Sequence, residues 1–409
     1  MAGMVIRIFM GAAVLASALA ASRVQAQDSV RPEVGKPLQV AQQLIRAHKF
    51  KEALAKVREA DAVGGKTAIE STLIERMRMS AASGAGDVET ATKAFETLAG
   101  SGKLSLGDRL TMIESLAGAT YREGNYAKAV HWCQRYFKEG GTNPAIRTLW
   151  IQSQYLAGDF AGAARELTTE IQTAEKVGST PGEDRLKLLL NATSKLNDST
   201  GTGWALERLV TYYPKTEYWV DLLSRLRRKP HFSDRLALDV YRLSLATGSL
   251  ATANDYMEMA QLALQAELPG EAQRVVDQGF AAGKLGTGTE AERHQRLRDL
   301  VAKRWSEEKN NPVDARALET KDGEALLHAG MKMVFSGDKP RGLRLMQQGL
   351  AKGHLKRPED AKLHLGLAQW MAGENVQAQA TLRTVGGSDG TADLARLWSL
   401  FVRISPRSS

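Results

Sequence analysis

Apolar residues recur along this chain at the three- and four-residue steps of an α-helix, and short polar turns rich in glycine separate the runs. In Phe50–Ala62, Ala53, Val57 and Ala60 fall on one helical face. In Asp393–Ile404, Leu394, Leu397, Trp398, Leu400 and Phe401 form another stripe. Glycine is common (37) and proline scarce (11), which predicts many helices joined by tight turns.

The pattern repeats. Gly270–Leu285 and Pro340–Leu355 align at an offset of 70, with identities at Arg274/Arg344, Gln278/Gln348, Gly279/Gly349, Ala281/Ala351, Gly283/Gly353 and Leu285/Leu355. Half that offset is 35, close to the period of a two-helix repeat. A second signature is a small turn, then an aromatic or polar residue, then alanine. It stands at Gly86-Asp87-Val88…Ala91, Gly124-Asn125-Tyr126…Ala129, Gly158-Asp159-Phe160…Ala163 and Gly373-Glu374-Asn375…Ala378, with looser copies ending at Ala53 and Gly342. These residue types have a physical reason. Gly ends one helix in the left-handed conformation, Asp or Asn caps the next, and Ala or Gly lets the two helices cross closely. A single pair cannot bury its apolar face, so neighbouring pairs must stack.

On these residues the chain resembles the tetratricopeptide repeat family. Its best copy reads Leu365-Gly366, Trp370, Gly373-Glu374-Asn375, Ala378 and Leu382; another reads Leu116-Ala117, Tyr121, Gly124-Asn125-Tyr126 and Ala129. The similarity covers most of residues 36–388 but is degenerate over about 180–255, and the family's closing proline is mostly missing, though Asn143-Pro144 comes near it. Leu209–Tyr218 resembles a junction found in tetratricopeptide proteins of the bacterial envelope. The resemblance implies an all-α, right-handed α-solenoid of stacked antiparallel helix pairs, with residues 389–409 as a capping helix and short tail. It also implies a groove lined by the first helix of each pair. Carried over by position, the lining is Gln42, Arg46, Arg76, Tyr121, Arg122, Gln152 and Tyr155 at a polar and basic end, and Met331, Phe335, Trp370 and Met371 at an apolar end. The apolar end is either a peptide-binding patch or the seat of the capping helix.

The first residues read as an address. Arg7 precedes an apolar run from Ile8 to Ala21, and Val24-Gln25-Ala26 is a small-x-small cleavage site. We expect a signal peptide over 1–26 cleaved after Ala26, a flexible segment over 27–35, and a periplasmic mature chain. The run is too short to span a bilayer comfortably, and no later stretch is apolar for a spanning length. Cleavage would lower the formal charge from +9 to +7 by removing Arg7 and Arg23.

Composition, 43% hydrophobic and 25% charged, excludes a polytopic membrane protein and a disordered chain. The single cysteine, Cys133, excludes a disulfide framework and sits where a buried thiol is expected. Ala60–Thr67 fits a relaxed phosphate-loop pattern, but the segment before it reads as a helix, whereas the loop needs a strand. The histidines at 48, 131, 231, 294, 328, 354 and 364 show no metal-ligand spacing, and Glu307-Glu308 lies on a face of mixed charge. Arg225, Arg227, Arg228 and Lys229 form the densest basic run, at a helix C-terminus before Pro230. The reading is a non-catalytic periplasmic scaffold for protein or peptide partners, without cofactor, metal or nucleic acid. The alternatives are a binder of anionic envelope polymers (peptidoglycan or lipid head groups) through the basic run, and an enzyme hidden in 180–255.

Overall fold

The computed structural model describes residues 30–311 and 322–405; the expected signal peptide lies outside them. Every regular element among the described residues is helical, so the protein is all-α. Contacts group the chain into two compact units that divide between Asp159 and Phe160.

Unit one contains α1 (Pro32–Arg46), α2 (Phe50–Asp61), α3 (Ala68–Ala85), α4 (Val88–Gly100), α5 (Leu106–Arg122), α6 (Tyr126–Lys138) and α7 (Pro144–Leu156). α1 packs on α2, α3 on α4 and α5 on α6, while α1, α3, α5 and α7 also touch one another in series. The turns are built as the signature predicts. Gly86 takes φ 77° and Asp87 accepts a hydrogen bond from the Thr90 N–H; Gly124 takes φ 81° and Asn125 accepts one from the Lys128 N–H. Val34, Val57, Ala60 and Ile74 make one core cluster, and Phe95, Ile113, Leu116, Trp132 and Ile146 belong to the other. Each fully buried aliphatic side chain contributes roughly 1.5–3 kcal/mol of transfer free energy.

Unit two contains α8 (Phe160–Lys176), α9 (Glu183–Lys195), α10 (Ser199–Tyr212), α11 (Thr216–Arg227), a 3-10 turn (Asp234–Leu236), α12 (Ala237–Ala246), α13 (Ala253–Gln265) and α14 (Pro269–Ala281). It continues with α15 (Ala291–Asn310), α16 (Gly323–Ser336), α17 (Lys339–Lys352), α18 (Pro358–Met371), α19 (Asn375–Leu382) and α20 (Thr391–Ile404). α9 pairs with α10, α13 with α14, α16 with α17 and α18 with α19, so the degenerate stretch 180–255 is itself helix and turn. The α16–α17 crossing is the tightest. A Cβ on Gly342 would lie 2.6 Å from the Gly330 carbonyl oxygen, which is why a glycine stands where other copies carry alanine.

α20 covers the last repeat and also returns to the middle of the unit. Trp398 and Phe401 pack around Trp370 of α18, and Phe401 meets Trp219 of α11 edge-on at 6.1 Å. The Ser233 N–H donates to the Asp389 carbonyl at 2.9 Å, and Lys229 pairs with Asp393 across 164 residues of chain. Unit two is therefore a helix-pair stack whose end is fastened to α11 and α12.

Candidate binding surfaces

In unit one, Gln42 and Arg46 lie in the last turns of α1, Tyr121 and Arg122 end α5, and Gln152 and Tyr155 lie near the end of α7. The serial contacts of α1, α3, α5 and α7 place these positions on one stacked layer. Arg46 and Arg122 are exposed, whereas Gln42, Tyr121, Gln152 and Tyr155 are half-buried. Arg76 stands apart, nearer the middle of α3, where its guanidinium donates to Asp108 at 2.8 Å. That pair ties one repeat to the next. Tyr121 meets Tyr126 edge-on at 5.5 Å, and burial pushes its phenol up. Beside this pair a recess of about 520 Å3 is lined by Glu123, Gly124, Asn125, Tyr126, Ala127 and Ala157. Leu156, next to it on α7, is 47% exposed.

The four apolar candidates of unit two sit inside it. Met331, Phe335 and Met371 are buried, and Trp370 is held against Trp398 and Phe401. The capping helix thus packs on Trp370, while the other three lie buried within the unit. Phe335, Trp370 and Met371 line a cleft of about 340 Å3, and Met331 lines another of about 600 Å3. Arg242 borders both. Its Nε and Nη2 donate to the two carboxylate oxygens of Glu271 at 2.7 and 2.6 Å, and Nη1 donates to Asp239 at 2.6 Å. His364 Nε2 lies 3.0 Å from the same Asp239 oxygen. Asp239, Arg242 and Glu271 are all buried, and the neighbouring His364 and Arg242 hold the Asp239 carboxyl well below its usual range against the cost of desolvation.

The basic run is largely occupied. Arg225 donates to Asp221 at 2.8 Å, Lys229 to Asp393 at 2.9 Å, and the Arg227 guanidinium lies over the Tyr241 ring at 5.6 Å. Arg228 is exposed at the C-cap of α11.

No family model and no curated protein matches the sequence. Solved structures are similar at low identity. A tetratricopeptide repeat protein from Parabacteroides merdae is 9% identical with a TM-score of 0.32, covering 82% of this chain and 99% of that one. The TPR2AB domain of yeast Sti1, solved with pHSP90, is 11% identical with a TM-score of 0.23, covering 73% and 97%. The maize pentatricopeptide repeat protein PPR10 is 13% identical with a TM-score of 0.30, covering 90% and 61%. All three are helical-repeat proteins, and at these scores the likeness says nothing of ligand or task.

The remaining chemical candidates find structural partners. Residues 60–67 begin in the last turn of helix α2, and the Lys66 ammonium turns back on Asp61 at 3.2 Å. Cys133 is fully buried, and desolvation pushes its thiol up to about 12. Glu308 pairs with Lys332 and Glu307 with Arg304 at 3.5 Å each. Arg235, Asp239, Arg242 and Glu271 escaped the sequence reading, and His364 was considered only as a metal ligand. Each is an ordinary charge with no spacing to mark it, and the partners of Arg235 and Asp239 on α18 lie 125 residues away.

Proposed function

We propose that the protein is a non-catalytic helical-repeat scaffold of the cell envelope that binds a protein or peptide partner. In this reading residues 1–26 direct export, residues 36–388 form the repeat array and residues 389–409 close it. One observation carries the choice of surface: a recess of about 520 Å3 lined by Glu123–Ala127 and Ala157, the residues that follow Tyr121 and Arg122 at the end of α5 and Tyr155 near the end of α7. Tyr126 lines it among polar neighbours and packs against Tyr121, and the exposed side chain of Leu156 stands next to its Ala157 in the chain. Aromatic anchors with arginine beside them are what peptide and protein interfaces concentrate. The mixed polarity also suits a partner that dissociates rather than one bound permanently.

The test is a photo-crosslinking residue placed at Arg122 in cells, with one at exposed Val177 of unit two as the control. The reading expects a discrete adduct from position 122 alone, lost when Tyr121→Ala or Tyr155→Ala is added. Adducts of equal yield from both positions would overturn the surface. For the export half, N-terminal sequencing of the protein from the periplasm should begin at Gln27; recovery of the uncleaved chain from the cytoplasm would refute it.

A further inference from the structure

A cleft of about 770 Å3 opens in unit two between α8 and α10 on one side and α19 and α20 on the other. Four arginines reach it, Arg208, Arg383, Arg396 and Arg403, against two carboxylates, Glu175 and Glu207. No lysine lines it. The two carboxylates are already engaged. Glu175 pairs with Arg208 Nε at 2.9 Å and accepts from the Tyr212 hydroxyl at 3.0 Å. Glu207 pairs with Arg396. The Arg208 guanidinium is further fixed by stacking on Trp204, 3.3 Å from the ring centroid. That leaves two charges uncompensated. Arg383 donates to the neutral Gln379 side chain at 3.3 Å, and among the described residues no carboxylate pairs with Arg383 or Arg403. Both are exposed.

We propose that this cleft is a binding site for an oligophosphate, a ligand carrying two or more linked or clustered phosphate groups. Guanidinium forks bind phosphate oxygens bidentately, and two unneutralised forks, one at the C-cap of α19 and one in α20, call for a ligand with more than one anionic group. The volume lies in the range of small-ligand sites and admits such a group with its water. The internal carboxylates act as struts: they hold Arg208, Arg396 and Tyr212 in place, so that little side-chain order is lost on binding. The chemistry is shared by a soluble oligophosphate and by a phosphorylated lipid head group. It is independent of the peptide surface of unit one.

The experiment is calorimetric titration of the full chain with inorganic tripolyphosphate, alongside sedimentation with vesicles of anionic phospholipid. The variants are R383A/R403A in the cleft and R225A/R228A outside it. Binding should weaken at least about tenfold in the cleft variant, stay unchanged in the control, and fall as salt is raised. Binding to tripolyphosphate with none to vesicles assigns a soluble ligand; the converse, with the same loss in the cleft variant, assigns a head group. Equal losses in both variants, or no binding of the native protein to either probe, would overturn the proposal. Equal affinity for citrate would overturn the choice of phosphate.

Discussion

Arg235 and Asp360 are joined across 125 residues of chain: Nε donates to one carboxylate oxygen at 3.0 Å and Nη2 to the other at 2.7 Å. The same guanidinium reaches Asp389 at 2.8 Å and the Thr391 hydroxyl at 3.1 Å. One side chain in the turn before α12 thus holds the start of α18 and the loop before α20. Asp360 and Arg235 are mostly buried, so the contact is screened little by solvent.

Replacing Asp360 by Asn removes the charge and keeps the shape. The expected loss is about 1–3 kcal/mol of unit-two stability, the usual size for a charge-assisted hydrogen bond. Urea unfolding followed by tryptophan fluorescence reads it, because Trp219, Trp370 and Trp398 all sit where the unit closes. An unchanged midpoint would show that packing around Trp398 suffices.

Acid should weaken unit one through Glu70. This carboxylate is fully buried and accepts from Arg31 Nε at 2.9 Å, Arg31 Nη2 at 2.8 Å, the Thr67 N–H at 2.8 Å and the Arg31 N–H at 2.9 Å. Chiefly through the Arg31 side chain, these bonds pull its pKa from 4.5 down to about 2. A carboxyl whose folded pKa is depressed binds fewer protons folded than unfolded. Its contribution is therefore complete above pH 4.5 and lost as pH falls through about 2. Urea midpoints measured across that window should drop in the native protein and stay flatter in Glu70→Gln. Parallel slopes would remove Glu70 as the cause.

Two glycines should respond oppositely to alanine. At Gly342 a Cβ would lie 2.6 Å from the Gly330 carbonyl oxygen and 2.9 Å from the Val334 nitrogen, both backbone atoms that cannot turn aside. Gly342→Ala is expected to cost about 1–3 kcal/mol by forcing α16 from α17. At Gly203, within α10, a Cβ meets nothing within 4 Å. Gly203→Ala is expected to stabilise by about 0.5–1 kcal/mol, by lowering the entropy of the unfolded chain. Thermal melts of the two variants that move in the same direction would contradict the close crossing.

The repeat was legible because it is written at short range. The anchor positions Ala53, Ala91, Ala129, Ala163, Gly342 and Ala378 are all buried, as crossing points must be. Gly86-Asp87 and Gly124-Asn125 make the turns their chemistry requires. Cys133 lies in the core as a second-helix residue should. The positions carried over for the groove differ in their surroundings: Arg46 and Arg122 are exposed, Arg76 serves a repeat-to-repeat ion pair, and Met331, Phe335 and Met371 are interior.

Helix, turn and crossing each depend on residues three to five apart, so one copy of the signature carries its own instructions. The bonds from Arg235 to Asp360, from His364 to Asp239 and from Lys229 to Asp393 depend on something no copy contains. They form because small rotations between successive pairs add up until α18 and α20 meet α11 and α12. That sum decides which charges are buried together, covers the apolar face of Trp370, and brings Arg208, Arg383, Arg396 and Arg403 to one cleft. A charge is only a charge in the chain; its partner is a matter of where the stack ends.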